Sequence, residues 1–176
     1  MSDRARSARR TPVSALVSSL PIEPLLAEPG ADPLEVMHRA AAQPQTRLIG
    51  VVDDNGVLIG VVPILRLAEA VIARISPETL LADIADLADA ARFGHVVESR
   101  FIRDVMVRTA AVRPTATADE AFRLMHERHL SGLYVVDDAG RPTGYLDLLE
   151  LTLAYVEALE ADRSGSSGSA DTTAVD

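Results

Sequence analysis

Two stretches of the chain share one arrangement of apolar and polar positions. From Leu48 the sequence runs LIGVV, then DDNG, then VLIGVV; from Leu130 it runs LSGLYVV, then DDAG, then RPTGYL. An apolar block, a short polar break and a second apolar block predict a β-hairpin. The ten residues from Val51 and the ten from Val135 agree at six positions, VVDDxGxxxG, 84 residues apart. The glycine after the aspartates supplies the positive φ that tight hairpin turns need. A repeated hairpin raises the question of a repeated unit.

The surroundings of the two hairpins repeat as well. Before the second lie FIRDVMV, a short amphipathic turn, and TAAVRP, read as a strand from Thr109 to Pro114. TADEAFRLMHERH then reads as a helix, with Thr117 and Glu120 spaced as a capping box. Phe122, Met125 and His129 fall on one face of it at helical spacing. DLLELTLAYVEALEAD closes the unit as a last helix. Before the first hairpin, VSALVSS matches the opening turn, and PIEPLL is a proline-interrupted strand. DPLEVMHRAAA is a helix with Asp32 as cap and Pro33 in first position. PILRLAEAVIARI closes this copy. The Met–His pairs at 37–38 and 125–126 lie 88 residues apart and the hairpins 84, so the first copy has four extra residues, within AAAQPQTR.

The order strand, helix, hairpin, helix thus occurs twice. It predicts an α+β fold of two repeats related by a pseudo-twofold axis, over 12–75 and 101–162. Residues 76–100 read as a helical linker, with Leu80, Leu81, Ile84, Leu87 and Ala91 as its apolar stripe. Asp83, Asp86 and Asp89 lie three apart there, as a solvated face or a metal-binding row. Residues 1–11 form a basic arm and 163–176 a Gly/Ser-rich tail, both expected to be disordered.

Composition narrows the function classes. Apolar residues make up 48% of 176, enough for a core, though a repeat of about 60 residues is marginal alone. The two copies therefore share one core. A net charge of −9 argues against nucleic acid binding over the whole surface. All 17 basic residues are Arg, four of them among the first ten. No apolar stretch follows them that would make a signal peptide. The absence of cysteine excludes disulfides and thiolate chemistry. The longest apolar run, VLIGVVPIL, is too short to span a membrane, and a soluble, cytoplasmic protein is expected. HERH places His126 and His129 three apart, unlike the H-E-x-x-H of zinc hydrolases. His126 is expected exposed and His129 partly packed. No nucleophile–base arrangement emerges, so the chain is not read as an enzyme.

The second repeat, IRDVMVRTAAVRPTATADEAFRLMHERHLSGLYVVDDAGRPTGYLDLLEL, closely resembles a cystathionine-β-synthase (CBS) domain, and the first resembles a more diverged copy. Together they resemble a tandem CBS pair, the Bateman module. The resemblance implies two packed sheets with two clefts between the repeats, where such modules commonly bind AMP, ADP or ATP. It also implies a homodimer that regulates an attached or partner protein. The family's ligand motif, Gly-x-x-Thr/Ser-x-x-Asp, falls on Gly144, Asp147 and Glu150 in the second repeat. In the first it falls on Gly60, Pro63 and Arg66. Neither copy keeps the hydroxyl or the aspartate. Arg113 and Thr115 lie near the strand end where this family contacts its ligand.

Asp147 and Glu150 have two readings: a capping box for the last helix, or ligand acceptors, with Glu150 in place of the ribose-binding acid or both holding Mg²⁺. A carboxylate at a helix start opposes phosphate there. Pro63 suits the first turn of its helix, and Arg66 is either a surface residue or a phosphate partner. The leading expectation is a small-molecule-sensing regulatory module. The alternatives are a ligand-free dimerisation scaffold and a magnesium-responsive module.

Overall fold

The computed structural model describes residues 8–19, 22–78 and 84–167. Strands β1 (Leu26–Ala27), β2 (Leu48–Val52) and β3 (Leu58–Pro63) form one sheet, and β4 (Ala111–Val112), β5 (Gly132–Val136) and β6 (Pro142–Asp147) another. In each, the first strand pairs parallel to the second and the hairpin is antiparallel. The registers coincide: Leu48 faces Pro63 as Gly132 faces Asp147, and both shift before their last pair. The helices are α1 (Val13–Ser19), α2 (Pro33–Ala42), α3 (Ile64–Ile75), α4 (Leu87–Glu98), α5 (Ile102–Val105), α6 (Ala118–Arg128) and α7 (Leu148–Ser167).

The doubled VVDDxG now has a local cause. Asp53 Oδ1 accepts the N–H groups of Asn55 and Val57, and Asp137 Oδ1 those of Ala139 and Arg141, at 2.8–2.9 Å. Gly56 and Gly140 come next with φ of 76° and 78°. The first aspartate of each pair ties the turn, and the glycine takes the conformation that other residues resist.

The two hairpins lie against each other. The Leu58 N–H donates to the Gly140 carbonyl, and Arg141 Nε to that of Asn55. Between the sheets Tyr134 crosses from the second repeat into the first. Its hydroxyl accepts the Gly50 N–H at 2.7 Å and lies 2.7 and 2.9 Å from the carbonyl oxygens of Leu25 and Leu48. Tyr134 and Gly50 occupy equivalent positions 84 residues apart. A Cβ on Gly50 would stand 2.8 Å from the Tyr134 ring, so the glycine makes room for the tyrosine.

The opening segments are exchanged. α1, from the first repeat, packs on β6 and α7 of the second. The Val13 and Ser14 N–H groups donate to the carbonyls of Ala116 and Pro114, and Val13 and Leu16 join the core of the second repeat. In return α5 packs on α3. The Ile102 N–H donates to the Ala31 carbonyl, Val107 bridges Val61, and Ile102 and Val105 are buried in the core of the first repeat. Each unit is thus completed by a short segment from the other, and the buried residues form two clusters rather than the one core expected.

Several expectations shift. In PIEPLL only Leu26 is in a strand, which continues to Ala27; Pro24 has no N–H to give a ladder. The strand expected over Thr109–Pro114 narrows to Ala111–Val112. Phe122 is exposed and stacks on His126, while Ala118, Ala121 and Met125 form the buried face of α6. His129 is exposed rather than partly packed, since it ends the helix in the left-handed region, φ 53°. Among the described residues of the linker a helix runs over Leu87–Glu98, Ile84 lies before it, and Leu87 is 89% exposed. Asp86 caps this helix through the Asp89 N–H, and Asp89 accepts the Ala85 N–H, so these two acids serve the helix start. Leu80, Leu81 and Asp83 lie outside the described residues. Residues 8–10 are helical, Ala8 is buried and Arg9 pairs with Asp119 at 2.9 Å, so this end of the arm is docked. At the other terminus α7 continues to Ser167, into the stretch expected to be a disordered tail.

Candidate functional site

Two clefts arise from the pseudo-symmetry. Each is built from the helix start of one repeat, the helix-to-hairpin loop of the other, and the segment after an exchanged opening helix. The first N–H of each closing helix is already used, Ile64 on the Arg47 carbonyl and Leu148 on that of Ser131. Beyond that shared bond the two helix starts carry different side chains and face different walls.

The first cleft, about 400 Å³, is lined by Pro63, Arg66, Val107, Arg108, Arg128, His129 and Leu130. Pro63 precedes α3 without a side-chain cap, leaving the next N–H groups of the helix start without a side-chain acceptor. Arg66, Arg108 and Arg128 are all exposed and form no ion pair among the described residues. Among the described residues no carboxylate lines this cleft. Three guanidinium groups and a helix start together offer the positive charge and the donors that an anion needs. Arg66 also lines a third cavity of about 340 Å³, together with Glu69, His95, Val96 and Asp104.

The second cleft, about 380 Å³, is lined by Ile22, Pro44, Gln45, Arg47, Asp147, Leu149 and Glu150. Here both acids cap the helix start, with Asp147 on the second helical N–H rather than on the third that a capping box uses. Asp147 Oδ1 accepts the Leu149 N–H at 2.8 Å, and Glu150 Oε2 accepts the Asp147 N–H at 3.1 Å. Both residues are buried, 3% and 9% exposed. The other oxygen of each, Asp147 Oδ2 and Glu150 Oε1, is buried without a hydrogen-bond partner. Burial raises the pKa of Glu150, and the neighbouring Asp147 charge adds to the rise. The same burial raises that of Tyr145, whose hydroxyl accepts the Arg47 N–H at 3.4 Å. The Arg47 side chain is exposed and forms no ion pair with either acid.

The other sequence candidates lie elsewhere. A Cβ on Gly60 would meet Met106 Sδ at 2.8 Å and the Val107 carbonyl at 3.0 Å; one on Gly144 would meet Val17 at 2.9 Å. These glycines admit the exchanged opening segments and line neither cleft. Arg113 donates to the Asp137 carbonyl and to the Asp138 carboxylate at 2.7 Å, so it braces the second turn. Thr115 is exposed and lines neither cleft. Arg47, Arg108, Arg128 and Ile22 were not singled out in the sequence. The signal for Arg47 was the four-residue excess in AAAQPQTR, which builds one wall of the second cleft. Among the described residues no group of three His, Asp or Glu side chains could hold a metal ion. None of the described helices is long and apolar enough to cross a membrane.

Residues 102–157 match the CBS domain family. No curated protein matches the chain. Among solved structures, a CBS domain-containing protein from Thermotoga maritima aligns with TM-score 0.66 at 21% identity, covering 82% of this chain and 94% of that one. The CBS domain pair of protein MJ0100, solved with 5′-methylthioadenosine and S-adenosyl-L-methionine, aligns with TM-score 0.61 at 18% identity, over 84% and 97% of the two chains. CBSX2 in complex with AMP aligns with TM-score 0.60 at 20% identity, over 77% and 90%.

Proposed function

We propose, starting from the tandem CBS pair that this fold is, that the protein is a ligand-sensing regulatory module whose first cleft binds an adenine nucleotide by its phosphates. The observation that carries this reading is the set of three arginines, Arg66, Arg108 and Arg128, without ion-pair partners among the described residues and beside the uncapped start of α3. The adenine-containing ligands of the MJ0100 pair and of CBSX2 support the class of ligand. Arg66 stands where the family pattern has the ribose-binding aspartate, and among the described residues no acid lines this cleft to take a diol. Recognition therefore rests on phosphate charge, and affinity should rise from adenosine through AMP and ADP to ATP.

The module acts as a cytoplasmic homodimer. Leu65 and Ile75 on α3 are 68% and 72% exposed, and Leu149, Leu153, Val156 and Leu159 form a second exposed apolar row on α7. A single chain leaves both rows in water, and a second copy would cover them. Ligand binding regulates a partner by favouring one arrangement of the repeats or of the dimer, to the extent of its differential affinity.

Calorimetric titration of the full chain tests the reading. ATP should bind at least tenfold more tightly than adenosine, a difference of about 1.4 kcal/mol, and the Arg66→Gln/Arg128→Gln variant should lose that advantage. Equal affinity for ATP and adenosine, or an unchanged ATP affinity in the double variant, would refute it.

A further inference from the structure

The second cleft has a different chemistry, independent of the reading of the first. Asp147 and Glu150 each use one oxygen on the start of α7 and keep one buried oxygen without a donor. Buried acceptors without partners are costly, and a donor brought by a ligand removes the cost. On the same cavity lies Arg47, a cation without an anion among the described residues. The rest of the lining is Ile22, Pro44 and Leu149, with Gln45 as its one uncharged polar side chain.

We infer that the second cleft binds a free α-amino acid with an apolar side chain, its ammonium group toward the carboxyl groups of Asp147 and Glu150 and its carboxylate on Arg47. The competing ligand classes each leave something unmatched. A phosphate at this helix start faces two carboxylates. A divalent ion finds only two protein ligands, and among the described residues no third acid or histidine joins them. A nucleoside diol could meet the acids but leaves Arg47 without an anion. An amino-acid zwitterion meets both charges and presents apolar surface to the remaining wall. Its volume suits a cavity of about 380 Å³.

The test is calorimetry on the full chain with L-leucine, L-isoleucine, L-valine and L-methionine as probes. N-acetyl-L-leucine, which lacks the ammonium, and L-leucinamide, which lacks the carboxylate, serve as controls. At least one of the four should bind, and acetylation and amidation should each weaken binding about tenfold or more, as expected for loss of a charge-assisted contact. Glu150→Gln and Arg47→Gln should each weaken it similarly, while Arg66→Gln/Arg128→Gln leaves it unchanged. Circular dichroism and melting of each variant establish that it is folded. No binding of any of the four up to millimolar concentration would overturn the inference. So would binding that survives both controls, or Mg²⁺ or adenosine binding that Glu150→Gln abolishes. None of these outcomes touches the nucleotide reading, which depends on Arg66 and Arg128.

Discussion

The two clefts occupy equivalent places and carry opposite chemistry. Pro63 and Arg66 open one closing helix, and Asp147 and Glu150 open the other, in the same register at the end of the same hairpin. One helix start is uncapped and ringed by arginines; the other is capped by two buried carboxylates. The frame is held by positions that neither cleft uses: the two turn aspartates, the turn glycines, and the glycines that admit the exchanged segments. The two repeats thus share the scaffold and differ at the helix starts. A phosphate that suits the arginines of the first cleft meets two carboxylates at the helix start of the second.

The most disruptive way to break this pairing is to unlock the hairpins. Tyr134 is fully buried, packs edge-on to Tyr145, and bonds the backbone of the first repeat. Tyr134→Ala should cost about 3–5 kcal/mol, from lost burial and an unfilled cavity, and should loosen both clefts together. Denaturant unfolding measures this, with Tyr134→Phe as the milder reference. A loss below about 1 kcal/mol for the alanine variant would mean that the repeats do not depend on this contact.

A smaller effect sharpens the contrast at the second helix start. Burial raises the folded-state pKa of Glu150, so the folded protein holds this proton more tightly than the unfolded chain. That contribution is complete below the ordinary carboxylate value and is lost as pH rises through the raised one. At neutral pH the buried ionised group is therefore a net burden. Glu150→Gln keeps an amide oxygen for the Asp147 N–H and removes the buried charge. The variant should be more stable at neutral pH by about 1 kcal/mol, or about 2–4 °C in Tm. The advantage should vanish as pH falls below the carboxylate range. Thermal melts at neutral and acid pH check both the sign and its disappearance.

Much of the scaffold was legible in the sequence because it is written in local patterns. The hairpins, their turn chemistry, the Thr117–Glu120 cap and the four-residue excess all rest on neighbours in the chain. The exchange of opening helices was not legible. VSALVSS and FIRDVMV mark short helices, but nothing local says on which repeat a short helix docks. Gly60 and Gly144, which both copies share, lie where Met106 and Val17 of the exchanged segments come close. The candidate site was half legible for the same reason. The helix-start residues Pro63, Arg66, Asp147 and Glu150 are given by the repeat pattern. Arg108, Arg128 and Arg47 reach the clefts from the opposite repeat, a relation that only tertiary packing creates. Arg113, promising by position along the chain, was drawn instead to Asp138 at its own turn.

The opposite character of the two clefts is the central claim, and one comparison tests it most directly. ATP affinity is measured by calorimetry for the wild-type chain, for Arg66→Gln/Arg128→Gln and for Arg47→Gln. The first variant should bind ATP at least tenfold more weakly, and the second should bind it as the wild type does. An ATP affinity that falls with Arg47→Gln and is untouched by Arg66→Gln/Arg128→Gln would place the phosphates beside Asp147 and Glu150, and would contradict the account.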